Sequence, residues 1–310
     1  MNVPNVTEHI AILGGSGFVG RHLRQHLLAQ GHHVTVLTRQ PPDMLERYLA
    51  PATVRQVDSD SDGQLVQALS GVSVLINLAG ILHESGGQRF EQVHAGLPAR
   101  LVRACTAASV RHYLHMSALH ADMVNPPSAY LRSKAHGEEA ARAAPADLIV
   151  TLFRPSIIFG EGDNFFGQFA QMLRWMPVFP LVCPRARFAP VWVDDVVSAF
   201  STVIARGAES ERCQSYDLCG PKSYSFRELI EFTARATDRH RLIIGVPDWV
   251  ARLQGRVLQH LPGPLFTLDN YYSLQVDSVC ECNGLERLGI KPAMLESVMR
   301  VLLSERQSVS

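Results

Sequence analysis

The chain has no excess of either charge. Lys plus Arg and Asp plus Glu both number 29 in 310 residues, and charged residues make up only 19% of the chain. A nucleic-acid-coating polycation and an acidic disordered chain are therefore both excluded, and no nucleic acid partner is expected. Long apolar runs are absent too, so no transmembrane span is predicted. An apolar strand-like run begins at His9 with no signal-peptide pattern before it, and the expectation is a cytoplasmic protein, with peripheral contact at the inner membrane left open. Cysteine is sparse and scattered: six residues, of which the one close pair, Cys280-x-Cys282, lacks the second half of a zinc site. Reduced, packing thiols are expected. Histidine is plentiful at thirteen, but His112, His115 and His120 have no carboxylate or cysteine at ligand spacing, so no metal is expected. Internal repeats and low-complexity segments are missing as well.

What is present is an apolar chain, 46% hydrophobic, long enough for one large α/β domain or a core domain with a smaller lobe. The stretch Ala11-Ile-Leu-Gly-Gly-Ser-Gly-Phe-Val-Gly20 organises the rest. An apolar run, His9 to Leu13, reads as a buried strand, and Phe18, Val19, Leu23, Leu27 and Leu28 read as a helix. Between them, Gly14, Gly17 and Gly20 serve the turn, the approach of the backbone to a pyrophosphate, and the packing of helix on sheet. The same residues also fit Gly15-x-Gly17-x-x-Gly20, so spacing alone does not choose between nucleotide-binding patterns. The strand–loop–helix context supports a dinucleotide whose pyrophosphate rests on the helix N-terminus.

Further along, Gly31 suits a helix C-cap, and His33 to Thr38 alternates as a second strand. Where an NAD-preferring site carries an acidic residue, this strand ends in Thr38-Arg39. A guanidinium suits a 2′-phosphate, so NADP is preferred over NAD; a solvated surface arginine is the competing reading. Strands at Thr53 to Val57, Val72 to Leu78, His112 to Ser117 and Asp147 to Phe153 alternate with helices at Asp62 to Ser70 and Glu91 to Ser109. Pro98 should bend the second of these helices or reset its first turn. The alternation predicts an α/β fold, a Rossmann-like doubly wound parallel sheet. Asn125-Pro-Pro127 signals the start of another helix, on which Tyr130 and Lys134, four apart, point to one side. An ammonium there is expected to lower the Tyr130 pKa and prepare it for proton exchange with a hydroxyl or carbonyl.

These motifs resemble the extended or atypical short-chain dehydrogenase/reductases, of the NAD-dependent epimerase/dehydratase type. Its counterparts here are Gly14/Gly17/Gly20, Asn77 to Gly80, Ser117 and Tyr130/Lys134, continuing through Arg154-Pro-Ser-Ile-Ile-Phe-Gly160 and Pro190-Val-Trp-Val-Asp-Asp195. Within that family the chain is most similar to bacterial relatives of the ninth alpha-subcomplex accessory subunit of mitochondrial complex I. The resemblance implies cofactor contacts from Gly14, Gly15, Ser16, Gly17, Phe18, Val19 and Gly20 in the loop and helix start. It adds Arg39 and Asp58, then Leu78, Ala79 and Gly80 after the fourth strand, and Tyr130, Lys134, Arg154 and Pro155. Tyr130, Lys134 and Ser117 are the implied catalytic residues. Two functions follow: an NADP-dependent oxidoreductase or epimerase acting on a small-molecule carbinol or carbonyl, or a non-catalytic NADPH-holding accessory or assembly factor of a respiratory or quinone-linked membrane complex. Two departures from the family pattern are Ala118, where the second hydroxyl of a Ser-Ser or Ser-Thr pair usually stands, and His94, where Asn is common.

The Rossmann domain is expected over residues 1–160, with 188–220 returning to the sheet and 161–310 forming a smaller C-terminal substrate or partner lobe. In that lobe Phe165 to Met176 reads as a helix, Pro177 to Pro184 as a proline-broken loop, and Phe188 to Val193 as a strand. Asp194-Asp195 should cap the helix Val196 to Ala205. A helix from Phe226 to Thr237, preceded by an approximate capping box at Ser225, leads to a strand at Leu242 to Val246. The helix opened by Pro247-Asp248 repeats Trp249, Leu253, Val257 and Leu261, with Arg252 and Arg256 on another side, and Pro262-Gly-Pro264 stops it. A lobe helix packed on its own core is the expectation, against a membrane-surface or partner-binding helix. One or two helices over Leu285 to Leu303 complete the chain.

Overall fold

The computed structural model describes residues 7–207, 211–258 and 266–308. Strand β1 (His9–Leu13) leads into α1 (Phe18–Ala29), then β2 (His33–Thr38), α2 (Glu46–Leu49), β3 (Thr53–Gln56), α3 (Asp62–Ala68) and β4 (Val74–Asn77). A π-turn, Gln92–Gly96, runs directly into α4 (Leu97–Ala107), followed by β5 (His112–Met116), α5 (Ala129–Arg142), β6 (Ile149–Pro155) and β7 (Ile158–Phe159). Next come α6 (Asn164–Trp175), β8 (Val178–Leu181), β9 (Arg187–Phe188), β10 (Val191–Trp192), α7 (Val193–Arg206) and β11 (Cys213–Leu218). The chain continues with β12 (Tyr224–Ser225), α8 (Phe226–Ala236), β13 (Leu242–Gly245), α9 (Asp248–Leu258), α10 (Leu268–Ser273), α11 (Gly284–Arg287) and α12 (Leu295–Ser308).

Seven of these strands form one parallel sheet in the order β11-β6-β5-β4-β1-β2-β3. Because both faces are covered, the strands read as continuous apolar runs. One face packs Ile10, Ile12 and Phe153 against Leu23 and Leu27 of α1 and Phe200 and Val203 of α7. The other packs Ala11, Leu75 and Tyr113 against Leu65 of α3, Leu101 of α4 and Ala141 of α5. Each such leucine or phenylalanine, fully buried, contributes about 1.5–3 kcal/mol. The order reverses between β1 and β4, which opens a crevice at their C-terminal ends where an α/β sheet takes its ligand.

Pro98 has the predicted effect. It has no N–H for the His94 carbonyl, and the backbone turns once as a π-helix before α4 proceeds. That carbonyl faces α5 at Gly137, where an added Cβ would lie 2.0 Å from it.

The C-terminal lobe has its own core, in which Phe166, Phe179, Phe226, Leu229 and Ile243 meet. Several of its details differ from the sequence reading. Pro177–Pro184 is not simply a loop: Val178–Leu181 is a strand paired parallel to β13, because Pro180 falls on an edge that needs no N–H. Residues 188–193 do not form a single strand of the main sheet. β9 pairs with β12 and β10 with β7, and the segment that returns to the sheet is β11, with α7 on its face. Asp194 and Asp195 lie inside the first turn of α7 and do not cap it: Trp192 is the N-cap residue, Asp194 pairs with His22, and Asp195 accepts the Ala293 N–H. The approximate box at Ser225 is complete, with Ser225 and Glu228 satisfying each other's backbone N–H groups.

The expected free thiols need one correction. Cys219 and Cys280 form a disulfide across 61 residues, while Cys282, the sequence neighbour of Cys280, stays free. The sheet brings the two partners together, so chain spacing gave no sign of it. Among the described residues no helix is long and apolar enough to cross a membrane, and no cluster of three His, Cys, Asp or Glu could hold a metal ion.

Candidate functional site

The crevice at the strand-order reversal is built from backbone. Gly14 sits at φ +85°, and a Cβ on it would lie 3.1 Å from the carbonyl carbon of Leu78 and 3.2 Å from the Ala79 nitrogen, so the turns after β1 and β4 touch. A Cβ on Gly20 would fall 2.3 Å from the Gly14 oxygen and 2.6 Å from the Cα of Gly15; any side chain there would push α1 off the loop. Gly17 donates to the Gly14 oxygen at 3.0 Å and serves as N-cap of α1, with no side chain capping that end. The amides at Phe18, Val19 and Gly20 therefore open the helix with its positive dipole end directed at the loop. A cavity of about 320 Å³ adjoins it, lined by Ser16, Thr38, Arg39, Ala79 and Gly80 among others. A glycine cradle that a Cβ would fill, ahead of an uncapped helix start, fits the pyrophosphate of a dinucleotide.

Arg39 lies exposed at the rim of this cavity. In the orientation that satisfies both its amide atoms, Gln88 accepts from Arg39 Nη2 at 2.8 Å and Nη1 at 3.1 Å, which holds the guanidinium over the groove. Asp58 is turned away: its carboxylate accepts the Asp60 N–H within its own loop, and the neighbouring Ser59 lines the cavity instead. Asn77 shapes the turn after β4. Its Oδ1 accepts the Ala79 N–H at 3.1 Å, and its amide reaches Tyr113 and His115.

Tyr130 and Lys134 come from α5, whose N-terminus is capped twice. Ser128 Oγ accepts the Leu131 N–H, and Asp269, from α10 of the lobe, accepts Ala129 N–H at 2.6 Å and Tyr130 N–H at 3.1 Å. Lys134 is buried, and its Nζ donates to the Met116 oxygen at the end of β5 at 3.1 Å. The same Nζ would lie 3.3 Å from a Cβ on Gly80, which lines the cavity, although neither Lys134 nor Tyr130 is itself among the lining residues. Burial lowers Lys134 to about 8, against the pull of Glu138. The expected lowering of Tyr130 is not observed. Burial first, with the Asp269 charge adding to it, raises the phenol to about 12. The phenol therefore carries its proton at neutral pH.

His94, the departure from the family pattern, lies in the π-turn beside this pair. Its ring stands edge-on to Tyr130 at 5.4 Å, and its Nε2 accepts the Ile81 N–H at 3.0 Å. Nδ1 therefore carries the proton and donates to Ser133 Oγ, which donates in turn to the Tyr130 carbonyl oxygen. Burial first, then the charge of Lys134, lowers His94 to about 2, so the imidazole is a neutral strut. Ser117 is buried with its hydroxyl unpartnered, and Ala118 beside it is buried as well.

Arg154 does not join the cavity. Glu138 takes its Nε and Nη2 at 2.7 and 2.5 Å, and Nη1 meets Asp122 at 2.6 Å and Asp217 at 3.6 Å. Its guanidinium lines a second cavity of about 360 Å³ beside α5, lined also by Arg142 and Ser215. Pro155, the last residue of β6, contributes its carbonyl to the Leu119 N–H. Sequence reasoning missed Asp269, which lies 139 residues from the N–H it caps and carried no local signal, and Gln88, which sits in an irregular segment.

The sequence pattern of the NAD dependent epimerase/dehydratase family matches residues 10–219. Over 295 residues the chain is 30% identical to the mitochondrial NADH dehydrogenase (ubiquinone) 1 alpha subcomplex subunit 9 of Mus musculus, covering 92% of this chain and 77% of that protein. It is 32% identical over 194 residues to a ceramide reductase of Caulobacter vibrioides, covering 61% of this chain and 58% of that protein. Among solved structures, MoeE5 in complex with UDP-glucose and NAD superposes with a TM-score of 0.74 at 19% identity, over 97% of this chain and 100% of that one. An NADPH-dependent quinone oxidoreductase from Escherichia coli, complexed with NADPH, gives 0.73 at 20% identity over 94% and 99%. At such identities the structural likeness is one of fold.

Proposed function

The chain belongs to the NAD dependent epimerase/dehydratase family, and from that premise we propose that it is a nicotinamide-nucleotide-binding oxidoreductase of the short-chain dehydrogenase type that prefers NADP(H). The observation that carries this reading is the meeting of Lys134 Nζ with the backbone at Gly80, beside the glycine cradle and on the same helix as Tyr130. Gly14 to Gly20 would receive the pyrophosphate, Arg39 a 2′-phosphate, and Lys134 the ribose hydroxyls. The nicotinamide, when bound, supplies or takes up hydride. Tyr130, protonated at neutral pH, holds the proton at its Oη that a reduced carbonyl oxygen requires, and Lys134 supplies positive charge beside the oxygen that forms. Asp269 and His94 fix the backbone that carries Tyr130.

A second reading rests on one observation. The position of the usual second hydroxyl is Ala118, and Ser117 is buried, so the constellation lacks an exposed hydroxyl to orient substrate. In this reading the chain holds NADPH as an accessory or assembly factor of a respiratory complex, in keeping with its complex I subunit relatives. A panel of quinones, small ketones, sugar nucleotides and long-chain keto-lipids, followed by NADPH absorbance, separates the two readings; the ceramide reductase relative motivates the last class. The enzyme reading expects turnover with at least one class and a loss of about a hundredfold in Tyr130→Phe, with cofactor affinity retained. No turnover with any class, while NADPH still raises the melting temperature, favours the accessory reading.

A further inference from the structure

Helix α9 is packed the reverse of the usual way. Its small residues, Ala251 and Gly255, are buried, and a Cβ on Gly255 would sit 3.0 Å from both the nitrogen and the Cα of Leu268, so α9 lies backbone to backbone on α10. Its large apolar residues face outward: Trp249 is 70% exposed, Leu253 54% and Val257 60%. The expectation of a stripe buried in the lobe core is overturned for these three; Leu261 lies outside the described residues. Arg252 and Arg256, expected on another side of the helix, are exposed on this same face, because spacings of three and four set them beside Trp249, Leu253 and Val257, and Asp248 is the one acid of α9.

The surface leading into α9 has the same character. β13 reaches it through Val246 and Pro247, and its outward Leu242 and Ile244, with the paired Val178 of β8, are exposed. Trp175, at the end of α6, is 74% exposed with the Arg174 guanidinium 5.3 Å from its ring centre. Two of the chain's three tryptophans thus stand in the open, each near arginine, on one lobe. An indole and short aliphatics that can enter the acyl boundary, with two exposed arginines on the same face, one of them, Arg252, also meeting the Tyr272 hydroxyl, match a lipid headgroup interface in both polarity and charge.

We propose that the α9 face, Trp249, Arg252, Leu253, Arg256 and Val257, is a docking surface for an anionic phospholipid bilayer, on which the protein lies peripherally. The proposal is independent of the chemistry at Tyr130.

Co-sedimentation of the full chain with phosphatidylcholine vesicles, with and without a third of the lipid as phosphatidylglycerol, tests it. Binding should require the anionic lipid and weaken as salt rises. Arg252→Gln with Arg256→Gln should lower vesicle affinity about 30-fold, at about fivefold per arginine. Trp249→Ser with Leu253→Ser should lower it about tenfold or more. Unchanged NADPH affinity in both double variants establishes that the fold is intact. The proposal is overturned if the parent ignores anionic vesicles, binds neutral ones equally well, or is matched by both variants. It is likewise overturned if the parent ignores vesicles and instead self-associates in a way that Trp249→Ser abolishes, which would assign the face to a second copy of the chain.

Discussion

Lys134 and Arg39 are the two cations nearest the glycine cradle in the proposed reading, and each predicts a measurable trade. Lys134 is a buried cation whose folded pKa, about 8, lies below its unfolded value of 10.5. The unfolded chain binds the proton more tightly, so this lysine opposes folding fully below pH 8, and the penalty fades as pH rises from about 8 to 10.5. Lys134→Met should therefore raise stability at pH 7 by about 1–2 kcal/mol, discounted for the Met116 carbonyl that loses its donor. The advantage of the variant should shrink across that pH window in chemical denaturation, and cofactor affinity should fall at every pH. A variant less stable than the parent at pH 7 would count against a desolvated ammonium. Arg39, exposed at the groove rim, should favour NADPH over NADH by about 1.5–3 kcal/mol, roughly ten- to a hundredfold. Calorimetric titration of both cofactors should show that preference vanish in Arg39→Ala.

At the scale of elements, α5 is held by parts of the chain distant from it. The Asp269 cap from α10 satisfies two of the N–H groups that open the helix, and one of them belongs to Tyr130. Asp269→Ala should cost about 1 kcal/mol of stability and speed amide exchange at Ala129 and Tyr130 more than at the middle of α5. Gly137 makes the opposite kind of contact. Alanine normally improves a helix interior, yet a Cβ here would meet the His94 carbonyl at 2.0 Å. Gly137→Ala should destabilise by about 2 kcal/mol or more, because the π-turn that frees that carbonyl is set by Pro98 and cannot back away. A gain in melting temperature would remove the close helix contact from the argument.

These same elements show what could be read from the chain. Strands buried on both faces are apolar throughout, and their alternation with helices is a local pattern, so the parallel sheet and the glycine cradle were legible from residues 9–20 onward. Side chains recruited from far away were not legible. Nothing near Arg154 indicates that Glu138 and Asp122 occupy it, and nothing near Tyr130 indicates that burial and the distant Asp269 raise its phenol. The lobe was legible in its longer helices only. Strands of two residues, such as Arg187–Phe188, have no period to detect, and a stripe at helical spacing on α9 does not say which side of the helix faces the core.

For the whole molecule, the disulfide fastens a late segment of the chain to the edge of the main sheet. Cys219 follows the last residue of β11, at the edge of the main sheet, and Cys280 belongs to the segment whose Ser278 bonds Ser156 and whose Asn283 caps α11. Closing a loop of 61 residues removes about 4 kcal/mol of chain entropy from the unfolded state in the loop-closure picture. The segment is also fastened by hydrogen bonds from Asn283 to Cys219 and from Arg187 to Asp277, so the native position of Cys280 does not depend on the covalent link alone. Cys219→Ser should therefore fold, with a melting temperature lower than that of the oxidised parent by several degrees, and the difference should close when the parent is reduced with a dithiol. NADPH affinity should change little, since neither cysteine lines the cavity beside the glycine cradle. If oxidised and reduced parent melt together, the two sulfurs are neighbours without a bond, and the loops around β11 rest on their hydrogen bonds alone.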